Sequence, residues 1–268
     1  MSANDRQKYK KIIRNEAFGA LFNNKIVDYT ERPDPSEPYE QMIEGRKRHR
    51  EIIRNRISMN NVKSTEFLVI GMKFHFSTDN HEDCFFIGDE PMVYPSEIAL
   101  TSFNITEGVT ENYTSIIRLE AENIPSGHFS TYKEYNEKHK IPLSHGCGEF
   151  NEIGIMIKKM IEERAPDILD KPIYVFSDDA NMTRRALKFI ECKMQITQFE
   201  INLQVLDDLF SEIYELIYSE FIMSEQAHSK LTESTYDFRV ESCEYHDQFF
   251  EKNVCSYTDN LTYMYFFI

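Results

Sequence analysis

The chain has 268 residues, 41% of them apolar, with 20 Phe and 15 Tyr; such a chain buries a sizeable core, which excludes wholesale disorder and argues for one large domain with at most a small appendage. Its net charge of −15 is split as +4 over residues 1–62 and −19 over residues 63–268. An acidic body repels phosphates, so generic nucleic-acid binding is excluded and any such contact must come from a local basic surface.

No apolar run approaches the roughly 20 residues that span a bilayer, and the opening MSANDRQKYKK lacks the apolar core of a secretory signal. The expectation is a protein of the cytosol or nucleus. The five cysteines are few and odd in number, so metal ligation or plain burial is expected in place of a disulfide framework.

In chain order, apolar spacings of three and four predict an amphipathic helix over residues 5–22. After a polar connection with three prolines, a second helix is expected over about 37–57. Tyr39, Met42, Ile43, Ile53 and Ile57 lie on one side of it, and Arg46, Lys47, Arg48, Arg50, Arg54 and Arg56 on the other. From residue 66 the pattern changes to strands: EFLVIGMKFHF, SEIALTSFNI and NYTSIIRLE, with Glu107-Gly108 as a hairpin turn between the last two. A helix follows over 149–164, then a short strand PIYVF. Ser177 and Asp178 are placed to cap the next helix, DDANMTRRALKFIECK. The strand QFEINLQV and the amphipathic helix VLDDLFSEIYELIYSEF complete the order. Three antiparallel strands followed by alternating helices and strands is the order of a ribonuclease H-like α/β sheet, an analogy that says little about activity.

The densest chemical signal is Cys243-Glu244-Tyr245-His246 followed by Cys255. Thiolate sulfur and imidazole nitrogen are the usual zinc donors, and a C-x2-H pair brings two of them to one ion across a single turn. Spacing alone leaves zinc and two buried cysteines beside an unrelated histidine equally open. Elsewhere, His139, His145 and Cys147 read as a loop with incidental histidines rather than a second metal site. Asp178-Asp179 read as acids favoured by a helix N-terminus, and Met156, Met160 and the aromatic stripe of 206–221 as core.

The stretch from about 66 to 260 resembles the Maelstrom domain of the germline piRNA pathway. SEIALTSFNITEG, HKIPLS (139–144), PIYVFSDD (172–179), VLDDLFSEIY (205–214) and YDFRVESCEYHDQFFEKNVC (236–255) match that family in order. The resemblance implies a ribonuclease H-like fold related to exonucleases and a Glu-Cys-His-Cys zinc motif, here Glu97, Cys243, His246 and Cys255. It divides the chain into a basic helical segment, 1–62, and a Maelstrom domain, 63–268. A closed set of four ligands leaves no position for an activated water, so the implied zinc is structural. The resemblance also implies single-stranded RNA and piRNA-pathway proteins as partners, a role in transposon repression, and a place in cytoplasmic perinuclear granules and the nucleus.

The chain departs from the family at both ends. Relatives usually begin with an HMG box, whereas residues 1–62 are shorter, contain no tryptophan and show two helices. The basic helix is a remnant of that box or an ordinary solvated face. The ending YMYFFI, without a hydrophilic tail, reads as a truncated or short form. Three function classes stay open: an RNA-binding silencing protein, a single-strand ribonuclease, and a zinc-stapled protein–protein adaptor without an RNA role. Two-metal exonuclease chemistry is not expected, because it needs converging carboxylates and the first strand, 67–76, carries no acid. His246 has Glu251 at a plausible spacing but is committed to the implied zinc, and His228 has Glu233 but no first-strand acid to partner it. The residue types name no catalytic group.

Overall fold

The computed structural model describes residues 37–78, 86–87, 90–119, 129–146, 149–194, 201–233, 242–248, 255–265 and 267. The helix expected over 5–22 lies outside them, as do Cys84 and Cys147. Two compact units are present, residues 1–43 and 44–268. Of the first, only residues 37–43 are described, as the opening turns of a helix.

The elements in order are α1 (Glu37–Arg56), β1 (Phe67–Ser77), the short pair β2 (Phe86–Ile87) and β3 (Glu90–Pro91), β4 (Val93–Asn104), β5 (Gly108–Ile116), α2 (Phe129–His139), α3 (Phe150–Arg164), β6 (Ile173–Val175), α4 (Ala180–Lys193), β7 (Leu203–Val205), α5 (Leu206–Tyr218), α6 (Ser224–Thr232) and α7 (Ser256–Met264). The main sheet has five strands in the order β5-β4-β1-β6-β7. β1, β4 and β5 pair antiparallel, while β1, β6 and β7 run parallel.

Strand period sorts β1 between two cores. Phe67 and Val69 join Phe103, Tyr174, Phe210 and Leu261 on one face, with Ile53 of α1 and Ile57 just after it. Leu68, Ile70, Met72 and Phe74 join Ile98, Leu100, Ile153, Ile157 and Ile190 on the other. Every residue of β4 is buried, because both faces of the sheet are covered there. That is why its sequence alternates only approximately. The end of α1 and the turns after it pack with the residues beyond 63: Ile53, Ile57 and Val62 are core. Met160 is core as expected, while Met156 is half-buried.

One position on β1 sets how closely α7 can approach. A Cβ added at Gly71 would meet Asn260 Oδ1 at 2.6 Å and the Ser256 carbonyl at 2.9 Å. The bare backbone of Gly71 lets α7 lie against the sheet, where Asn260 Nδ2 donates to the Ala99 carbonyl at 3.2 Å and to Thr101 Oγ1 at 3.1 Å.

Two local expectations are corrected. Neither Ser177 nor Asp178 caps α4: the segment Ser177–Asp179 forms a 3-10 turn, and the helix begins after it without a side-chain cap bond. Helices α2, α6 and α7 were not foreseen. Each is short, 9 to 11 residues, too short to give a clear 3.6-residue period.

Candidate metal centre

The four residues named from the sequence come together. Glu97, Cys243, His246 and Cys255 are all buried, and their donor atoms lie within 4.8 Å of one another. They arrive on three pieces of local structure. Glu97 stands on β4, opposite Lys73 of β1. Cys243 and His246 share one turn, closed by the Asp247 N–H donating to the Cys243 carbonyl at 2.9 Å, so both side chains face the same point. Cys255 is the N-cap residue of α7, delivered there by the packing of that helix on Gly71.

The separations suit one central ion. Cys243 Sγ is 3.2 Å from His246 Nδ1, Cys255 Sγ is 3.3 Å from Glu97 Oε1, and His246 Nδ1 is 3.4 Å from Glu97 Oε1. Donors bonded at about 2.0–2.3 Å to a tetrahedral centre are about 3.3–3.8 Å apart. The donor set also calls for positive charge. Burial alone would lower the His246 pKa, but its bonds to Cys255 and the Glu97 carboxylate outweigh burial and lift it to about 10. The Cys243 thiol, donating to Cys255, goes up, and Cys255, receiving it, goes down. These residues can therefore hold a metal ion.

The surrounding bonds orient the ligands, as the outer partners of metal sites do. His246 Nε2 lies 3.0 Å from the His139 carbonyl. A carbonyl only accepts, so Nε2 carries a hydrogen and Nδ1 is the nitrogen that faces the cluster. The Ser256 N–H donates to Glu97 Oε2 at 2.9 Å, and the Cys243 N–H lies 3.3 Å from Cys255 Sγ. The loop after α2 is the part that sequence reasoning undervalued. His139 is buried, donates Nε2–H to the Phe74 carbonyl at 2.7 Å and accepts the Ile141 N–H on Nδ1 at 3.2 Å. Tyr245 OH donates to the Lys140 carbonyl at 2.7 Å. His139 is thus no ligand, but it holds one in place. His145 is exposed and rests on the Tyr245 ring, centroids 4.5 Å apart. The only trace of this in the sequence was the HKIPLS match, which no chemical rule turns into a backbone contact.

The six basic residues of α1 divide into two groups. Arg46 makes a bidentate pair with Asp208 at 2.6 and 2.7 Å. Arg50 and Arg54 both reach the buried Glu212 at 2.5 Å, and Arg56 bonds the Ile168 carbonyl and Asp170. Lys47 and Arg48 are exposed.

A mixed α/β sheet flanked by helices, with a buried carboxylate, imidazole and two thiols pinning a C-terminal helix to its second long strand, defines the class of this protein. The family model described as Maelstrom, piRNA pathway germ-plasm component, matches residues 89–268; the chain belongs to the Maelstrom family. The matched range contains all four residues of the cluster and begins after β1. No curated protein matches the chain. Among solved structures, that of exonuclease I, described as suggesting how processivity is achieved, is similar at a TM-score of 0.39 and 10% identity, over 75% of this chain and 40% of that one. This chain therefore aligns with less than half the length of that protein. Among the described residues no helix is long and apolar enough to cross a membrane.

Proposed function

We propose that this chain is an RNA-binding protein of the germline piRNA pathway, acting in transposon repression in perinuclear granules and the nucleus. Membership of the Maelstrom family is the observation that carries the proposal. The strand order supports a ribonuclease H-like reading of the domain: an antiparallel trio whose first strand turns central, followed by two parallel strands on its far side.

In this reading Glu97, Cys243, His246 and Cys255 hold zinc, the ion whose usual donors are thiolate and imidazole. Four protein donors complete a tetrahedral shell, so the ion supplies a cross-link and no activated water. Partners are single-stranded RNA and proteins of the pathway. Cleavage of single-stranded RNA belongs to the same reading, without the two-metal site of exonucleases. β1 carries Lys73, not an acid, at the level of Glu97.

RNA would be steered by the basic side of α1. Arg46, Arg50, Arg54 and Arg56 are engaged with protein acceptors, so Lys47 and Arg48 carry most of the open charge. That same pairing favours the second reading, a zinc-stapled adaptor without an RNA role, because it leaves little cationic surface on an acidic body.

The test is binding of labelled single-stranded RNA across a salt series. Phosphate contacts give an affinity that falls steeply with salt, and Lys47→Glu with Arg48→Glu should weaken it and flatten the salt slope. Absence of salt-dependent binding in the unmutated chain would favour the adaptor. Charge reversal is the suitable variant, since deleting residues 1–62 removes Ile53, Ile57 and Val62 from the core.

A further inference from the structure

A second constellation stands at the carboxyl ends of the parallel strands β6 and β7, where open α/β sheets place their ligands. Val175 and Val205 are paired across these strands. Two residues beyond each, Ser177 and Asp207 meet: the Ser177 N–H donates to Asp207 Oδ2 at 3.0 Å, and its hydroxyl to Oδ1 at 3.1 Å. Asp207 is only 1% exposed. Into this pair α6 delivers His228, whose Nδ1 is 3.0 Å from Asp207 Oδ1 and 3.0 Å from Ser177 Oγ.

The ring is fixed from the side as well. Phe176 stacks on His228 at 4.6 Å and on Tyr263 at 4.2 Å. A carboxylate only accepts, so Nδ1 carries a hydrogen, and Nε2 is the nitrogen that holds the lone pair in the neutral ring. Nε2 lies 3.7 Å from Asp178 Oδ2; Asp178 is 73% exposed and the His228 side chain 31% exposed. Asp179 and the Lys73–Asp259 pair lie in the same neighbourhood, acting with Asp178 and Asp207 on Tyr263 and on one another. The result is a partly exposed histidine with one nitrogen anchored on a buried carboxylate and the other beside the exposed Asp178, an arrangement suited to a general base.

Resting on the RNA reading above, we propose that His228 is the general base and acid for cleavage of single-stranded RNA, with Asp207 and Ser177 as positioning residues. His228 Nε2 takes the proton of a ribose 2′-hydroxyl. The 2′-oxygen bonds to the adjacent phosphorus, and the bond from phosphorus to the 5′-oxygen breaks. The protonated imidazole then returns the proton to that departing oxygen. The products are a 2′,3′-cyclic phosphate and a 5′-hydroxyl, with no water, metal or other reactant consumed. DNA, lacking the 2′-hydroxyl, is not a substrate. Lys73, paired with Asp259, is the positive charge among these carboxylates.

The experiment uses the full chain with end-labelled single-stranded RNA and matched DNA, scoring cleavage, product ends and RNA affinity. His228→Ala and His228→Gln should lose about 100-fold or more in cleavage rate at unchanged affinity, and added imidazole should restore part of the rate to His228→Ala. Asp207→Asn should lower the rate without removing binding. A His228→Gln chain that cleaves at the unmutated rate overturns the assignment, as do 3′-hydroxyl product ends or equal cleavage of DNA. An unmutated chain that binds RNA but never cleaves it also overturns the assignment, while leaving the RNA-binding reading standing. A chain that neither binds nor cleaves overturns both. Thermal midpoints of the variants separate loss of chemistry from loss of fold.

Discussion

Glu97 and Cys255 stand 158 residues apart in the chain, yet Glu97 Oε1 and Cys255 Sγ are 3.3 Å apart. That contact ties the middle of the sheet to the start of the last helix. A metal ion shared with Cys243 and His246 would make the tie a cross-link. One tightly bound zinc per chain is expected by metal analysis. Cys243→Ser or His246→Ala should abolish it, and the thermal midpoint should fall by more than about 5 °C, because binding free energy at a structural site is folding free energy. Metal-free variants that melt with the unmutated chain would refute a structural ion.

Gly71 predicts the cost of moving α7. In Gly71→Ala the new Cβ meets Asn260 Oδ1 at 2.6 Å and the Ser256 carbonyl at 2.9 Å. The helix must shift or Asn260 must give up its bonds to β4, for a loss of about 1–3 kcal/mol. Cys255 sits at the head of that helix, so metal affinity should fall in the same variant. Chemical denaturation read beside a competitive chelator titration checks both, and a stability loss with unchanged affinity would uncouple the helix from the site.

Acid should destabilise the fold through two histidines away from the metal ligands. Burial holds His49 and His75 at a pKa of about 4, against an ordinary 6.5. His49 Nε2 lies 3.0 Å from the Tyr174 hydroxyl, and burial raises the pKa of that tyrosine, so its proton is held and donated to a neutral imidazole. Below pH 6.5 the unfolded chain takes up protons that the folded chain refuses. Stability therefore falls as pH drops from 6.5 toward 4, by up to about 3 kcal/mol for each group. Denaturation midpoints between pH 4 and 7 should show this slope, and His49→Gln should reduce it. A flat profile would mean these rings are protonated in place.

The α1–α5 junction should respond asymmetrically. Glu212 is 2% exposed at its side chain, while Arg50 and Arg54 are 21% and 51% exposed. Removing both arginines strands a buried carboxylate, which costs about 3–5 kcal/mol. Glu212→Gln leaves two arginines that can turn to water, so its cost should be nearer 1 kcal/mol. Urea midpoints of Arg50→Ala with Arg54→Ala against Glu212→Gln give the comparison, and equal losses would show that solvent already reaches Glu212.

The sequence by itself determined the order of the main elements. β1, β4, β5, β6, α3, α4 and α5 appear where apolar period and turn residues put them, because those signals are local and the segments mostly long. The C-x2-H turn was legible for the same reason: two donors within one turn share a point in space whatever surrounds them. Glu97 was nameable only through resemblance to a family, since nothing in a buried strand marks one carboxylate as a ligand.

Tertiary structure decided the rest. It set Cys255 against Glu97 through the bare backbone of Gly71, and aimed His246 with a carbonyl of His139, a contact independent of side-chain identity. It turned the arginines of α1 from an apparent open stripe into partners of Asp208, Glu212 and Asp170, which lie more than 100 residues away. Ser177 and the histidine His228, separated by 51 residues, became neighbours only when β6, β7 and α6 packed. The physical reason is common to all four. Periodicity reports which side of an element faces inward, but the partner met there depends on the register and crossing of elements distant in the chain, which no local pattern carries.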